Sequence, residues 1–89
     1  MKQPKITVIT ASYNAKNTIE QTISSVVDQD YPDIEYVIVD GGSTDGTLSI
    51  IAEYASSYNI KWVSEPDQGL YDALNKGVQM ATGDYIEII

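Results

Sequence analysis

Eighty-nine residues allow one small domain, whose chain buries roughly two-thirds of the surface its unfolded form exposes, so the core is modest. A net charge of −8, with five lysines and no arginine, repels phosphate backbones and argues against nucleic-acid binding. Without cysteine there are no disulfides or thiolate ligands, and without histidine the commonest general base is missing, so carboxylates are left for any acid–base or metal work.

No segment approaches the roughly 18 apolar residues needed to cross a bilayer. Met1-Lys2-Gln3-Pro4-Lys5 leads straight into a strand pattern rather than an apolar signal core. The expectation is a cytoplasmic protein with no membrane segment in this chain, working in solution or at the inner face of the membrane.

Ile6 to Thr10 reads as a short β-branched strand, followed by a polar loop from Ala11 to Lys16. Asn17-Thr18-Ile19-Glu20 resembles a capping box with Asn17 as the cap, and Ile19, Ile23, Val26 and Val27 then form one helical stripe. Tyr31-Pro32 ends that helix, because proline cannot continue it. Ile34 to Asp40 is nearly continuously apolar until its final acid, the pattern of a strand covered on both faces. Gly41-Gly42-Ser43-Thr44-Asp45-Gly46 follows, with Ser43, Thr44 or Asp45 as the cap of a second helix marked by Leu48, Ile51, Ala52 and Ala55.

Ile60 to Ser64 is a third strand and Glu65 to Gly69 a loop. A third helix carries Leu70, Leu74, Val78 and Ala81, with Gly83 at its C-terminal glycine position, before a fourth strand from Tyr85 to Ile89. Strands alternating with helices predict an α/β fold with a parallel, doubly wound, Rossmann-like sheet, and the fourth strand is expected beside the first, in the order 3-2-1-4. Right-handed crossovers put the loops after the first three strands along one sheet edge, where open α/β sheets bind ligands.

Those loops gather Tyr13, Asn14, Asp40, Glu65 and Asp67. A tyrosine ring can flank a planar base, and a carboxylate can accept from an N–H or from ribose hydroxyls. Glu65 and Asp67 flank Pro66 and also fit as turn and cap residues. Asp72 and Asn75 share a helix face that could look toward the site, while Asp72 and Lys76 form an i, i+4 ion pair worth a few tenths of a kcal/mol.

Taken in order, Ile6 to Asn14, Ser25 to Tyr31, Val37 to Thr47, Gly69 to Gly77 and Ala81 to Ile86 resemble the motif series of a family 2 glycosyltransferase. The resemblance covers essentially the whole chain and implies the nucleotide-sugar-binding, N-terminal half of a GT-A fold. It places Ala11 and Tyr13 against the nucleoside base and the Asp40-Gly41 tip at base or ribose, with Asn14 also among the nucleotide-sugar-binding residues. Asp67 and the Asn75 face would border the pyrophosphate and sugar. The family usually has two consecutive acids at the tip, the second often reading uracil; here the second is Gly41, which leaves the base open.

The resemblance further implies an inverting transfer from a nucleotide-diphosphate sugar, with a UDP-sugar as leading donor, to a glycan or lipid-linked acceptor. Mg²⁺ or Mn²⁺ would bridge the diphosphate, held by an Asp-x-Asp motif expected beyond Ile89, and the catalytic base would also lie outside this chain. The competing reading is a non-catalytic α/β module that binds a nucleotide or a partner. The apolar strand at the end suggests a longer protein, and as an exposed edge it would favour self-association.

Overall fold

A computed structural model describes residues 4–89. Along them run β1 (Ile6–Ser12), α1 (Ile19–Val27), β2 (Ile34–Asp40), α2 (Thr47–Ser57), β3 (Ile60–Ser64), α3 (Leu70–Met80) and β4 (Tyr85–Ile88). The strands pair in parallel, in the predicted order β3-β2-β1-β4. β1 runs two residues beyond the predicted Thr10 because Ala11 and Ser12 pair in register with Val39 and Asp40.

The unbroken apolar run of β2 has its reason in the two layers that cover it. Tyr36 and Ile38 join Val8, Ile19, Ile23, Val26 and Ile51 on the α1–α2 face. Val37 and Val39 point the other way, to Ile9 and Ala73 under α3. Each fully buried Val or Ile contributes about 1.5–3 kcal/mol relative to an exposed one, so β2 anchors both layers.

Three local expectations change. No side chain caps α1: Thr18 is its N-cap, and the carbonyl of Ala15 takes the N–H groups of Thr18 (3.0 Å) and Ile19 (2.8 Å), which leaves Asn17 no capping role. α3 turns Ala73 and Gly77 to the sheet, while Leu70 and Val78 are exposed, because the helix packs too close for a large side chain between. Gly83 does not close α3, which ends with Ala81 in extended geometry. It is glycine because a Cβ there would lie 2.6 Å from Thr7 Oγ1 and 2.8 Å from the Thr7 nitrogen.

At the N-terminal end of the strands, buried Glu35 ties the bottom of the sheet together. Its carboxylate accepts from Thr7 Oγ1 (2.7 Å), Thr82 N (2.7 Å), Thr82 Oγ1 (2.8 Å) and Lys61 Nζ (2.5 Å). Burial pushes this carboxyl up, but the Lys61 ammonium and the donors of Thr82 and Thr7 outweigh it and lower it from 4.5 to about 2.

Candidate functional site: a cavity at the strand ends

The loops after β1, β2 and β3 meet as predicted, and hydrogen bonds lock the first two. Asn14, with φ of 47°, donates its N–H to Ser43 Oγ (2.7 Å) and accepts from Thr44 N through Oδ1 (2.8 Å). Ala15 N donates to Thr47 Oγ1 (2.9 Å) and Lys16 N to Asp45 Oδ2 (3.1 Å). Asp45 also takes the Thr47 N–H (3.0 Å), serving the start of α2 from one position before the Gly46 N-cap.

Asp40 is placed differently from its expected role at a ligand. It is fully buried, and both oxygens are taken by the protein. Oδ1 accepts from the hydroxyls of Ser12 (2.7 Å) and Ser43 (2.6 Å). Oδ2 accepts from Gly42 N (3.0 Å), Ser43 N (2.7 Å) and Ser64 Oγ (2.9 Å). The cause is register: Ser12, Asp40 and Ser64 are paired across the ends of β1, β2 and β3, so two strand-end hydroxyls converge on the central acid. Burial pushes the Asp40 carboxyl up, but the donors from Ser43, Ser12 and Ser64 prevail and hold it below the usual range. Asp40 is therefore the knot of the site, and it shapes the loops rather than facing a ligand.

Beside this knot opens a cavity of about 510 Å³ lined by Ala11, Ser12, Tyr13, Gly41, Pro66, Asp67, Gly69, Leu70 and Ala73. Of the expected site residues, it brings together Ala11, Tyr13, Gly41 and Asp67. Asn14 supports the cavity from the loop behind. Asn75 is exposed and does not line it, since it lies two residues, about 200°, around α3 from Ala73. Tyr13 presents an exposed ring, 65% accessible, that a planar ligand can cover.

Asp67 Oδ1 accepts the Gly69 N–H (3.1 Å), so the expected turn role also holds. Lys76 fastens the same loop to α3 by pairing with Glu65 (2.9 Å) and Asp72 (3.5 Å), and Asp72 in turn accepts the Gln68 N–H (3.1 Å). Ser12, Pro66, Gly69, Leu70 and Ala73 were not singled out from the sequence. Ser12 and Ser64 were detectable by aligning the ends of parallel strands against Asp40. Leu70 carried no signal apart from its place in the apolar stripe.

The motif order and the parallel sheet match a known family. The Glycosyl transferase family 2 pattern extends over residues 7–89. The chain belongs to glycosyl transferase family 2. Among relatives, this family 2 chain is 37% identical to a poly-beta-1,6-N-acetyl-D-glucosamine synthase of Staphylococcus epidermidis, over 91% of this chain and 20% of that protein. It is 39% identical to the putative teichuronic acid biosynthesis glycosyltransferase TuaG of Bacillus subtilis, over 98% of this chain and 35% of that one. The chain thus spans between a fifth and about a third of these relatives.

Solved structures agree on the fold. The mannosyltransferase PcManGT from Pyrobaculum calidifontis, in complex with GDP-Man and Mn²⁺, matches with a TM-score of 0.88 and 35% identity, over 96% of this chain and 26% of that one. S. aureus TarS 1-349 in complex with UDP-GlcNAc matches with a TM-score of 0.88 and 30% identity, over the same shares. The family 2 chain has the Rossmann-like sheet of the GT-A glycosyltransferases. Among the described residues no group of three or more acids converges to hold a metal, and no helix is long and apolar enough to cross a membrane.

Proposed function

We propose that this chain forms the donor-binding part of an inverting glycosyltransferase that moves a sugar from a nucleotide-diphosphate sugar to a glycan or lipid-linked acceptor. The observation that carries the reading is the cavity of about 510 Å³ at the strand ends, where exposed Tyr13, Ala11, Gly41 and Asp67 meet. The base lies along Tyr13, and the diphosphate extends toward the first turn of α3. No lysine lines this cavity among the described residues, so the phosphates meet backbone N–H groups at the start of α3 and its dipole.

In the transfer, the bond between the sugar's anomeric carbon and the phosphate oxygen breaks as the acceptor hydroxyl attacks from the opposite face. The nucleoside diphosphate leaves with the bonding electrons, and the acceptor proton passes to a base outside these residues. Mg²⁺ or Mn²⁺, as in the Mn²⁺ complex of the mannosyltransferase, would neutralise the leaving diphosphate, and no cluster of acids stands ready to hold it among the described residues. A cytoplasmic protein, at the inner membrane face where its acceptor is lipid-linked, fits this reading. No observation favours the alternative of a non-catalytic module.

The test is calorimetry on the full-length protein with UDP, GDP and ADP, and with Tyr13→Ala. Binding of one nucleoside diphosphate, weakened about tenfold or more in Tyr13→Ala, is expected from the loss of a stacking face. Binding of none, or unchanged affinity in Tyr13→Ala, overturns the reading.

A further inference from the structure

We propose that Asp67 reads the nucleobase by accepting the single imide N–H of a uracil ring, and that position 41 is glycine to give this carboxylate its room. The proposal rests on the nucleotide reading of the cavity.

Asp40, the obvious acid at this sheet edge, cannot fill the role. It is fully buried, and five donors from the protein already occupy its two oxygens. Among the described residues, Asp67 is the only charged side chain lining the cavity. Its carboxylate lies flat against Gly41: a Cβ at position 41 would be 2.8 Å from Oδ2 and 3.2 Å from both Cγ and Oδ1. Gly41 is not among the glycines with positive φ, which are Gly42, Gly46 and Gly69. Its backbone therefore admits any residue, and what a side chain there would have to displace is the carboxylate of Asp67.

The two oxygens of Asp67 are not equivalent. Oδ1 is committed to the Gly69 N–H, whereas Oδ2 has no hydrogen-bond partner among the described residues. The same cavity is lined by Ala11, Pro66, Leu70 and Tyr13, surfaces that suit the faces of a planar ring. One open acceptor matches one N–H flanked by two carbonyls, which is the uracil imide. The guanine edge offers two adjacent donors and would use both oxygens. Adenine and cytosine set an acceptor beside their amino group, and that acceptor would face the lone pairs of the carboxylate.

The test is calorimetry on the full-length protein with UDP, N3-methyl-UDP, GDP and ADP, with circular dichroism to confirm folding of each variant. The wild type should prefer UDP to N3-methyl-UDP by about 10- to 100-fold, the range of one hydrogen bond to a charged group. Asp67→Ala should bind the two alike. Gly41→Ala should also lose the preference, because its methyl displaces the carboxylate, and should lower the melting temperature; Gly41→Ala/Asp67→Ala should recover the temperature but not the preference. Equal binding of UDP and N3-methyl-UDP by the wild type overturns the proposal. So does an undiminished preference in Asp67→Ala, or a uniform loss for every nucleotide, which would put Asp67 at ribose or phosphate. Failure of all nucleoside diphosphates to bind overturns the cavity reading itself, and this proposal with it.

Discussion

Gly77 of α3 rests directly on Ile9 of β1: a Cβ at position 77 would fall 2.6 Å from Ile9 Cγ2 and 3.2 Å from its Cδ1. This contact sets how closely α3 approaches the sheet. Ala73 and Leu70, one and two turns earlier on the same helix, line the cavity, so the spacing between helix and sheet also sets the cavity's width.

Gly77→Ala should therefore destabilise the protein even though alanine is the better helix former. Overpacking costs about 1–3 kcal/mol, against about 1 kcal/mol gained in helix propensity. A lower urea midpoint with an unchanged slope checks this, and a midpoint that rises would show that Ile9 yields without strain.

Asp40→Asn should act on folding before it acts on binding. The new amide turns an N–H₂ toward hydroxyls and backbone N–H groups that now donate to the acid. Hydrogen bonds to a charged group are worth about 1.5–3 kcal/mol each, so a loss of more than about 2 kcal/mol is expected. Chemical denaturation measures it; full stability with impaired nucleotide binding would return Asp40 to a direct ligand role.

Acid should loosen the sheet at both ends. Glu35 and Asp40 both have folded-state values below their ordinary ones, Glu35 at about 2 against 4.5. A depressed carboxylate contributes stability that is complete above its unfolded value and is lost as pH falls toward its folded value. The urea midpoint should hold steady above about pH 5 and fall between about pH 4.5 and 2, with Glu35 accounting for about 3 kcal/mol. Lys61→Met should shrink that acid-sensitive part, and an unchanged pH profile in this variant would remove Lys61 as a cause.

Lys76→Met should change stability by less than about 1 kcal/mol. Its partners Glu65 and Asp72 are 52% and 39% exposed, and ion pairs at such positions are screened by solvent and salt. The difference from wild type should vanish in about 1 M NaCl. A larger effect that persists in salt would make Lys76 part of the loop's packing.

Expressed as these 89 residues, the chain should self-associate through β4. Among the described residues, Tyr85, Ile86 and Ile88 are exposed on an unpaired edge, with Val78 of α3 also exposed, and Asp84 and Glu87 are the charges that guard it. Light scattering should report assemblies at high micromolar concentration, reduced in Ile86→Lys/Ile88→Lys. A stable wild-type monomer would contradict this.

The sequence alone determined the alternation of elements, the strand order and the edge where the loops meet. The alternation follows from periodicity and from proline and glycine punctuation, and the shared edge from crossover handedness, which are local or nearly local. Of the residues named from the loops and from the family resemblance, Ala11, Tyr13, Gly41 and Asp67 line one cavity, whereas Asn14, Asp40 and Asn75 do not. What only the tertiary structure decided was which groups remain free to act. Asp40 stands out in the chain as an acid after an apolar strand, but whether it faces a ligand depends on Ser12 and Ser64, which are 28 and 24 residues away. Gly41, Gly77 and Gly83 are alike in sequence, yet each is explained by the atom lying over it, on Asp67, Ile9 or Thr7. The face that α3 buries departs from its apolar stripe for the same reason: the stripe reports hydrophobicity, whereas the small residues Ala73 and Gly77 permit the closest approach, with Leu74 packed beside them.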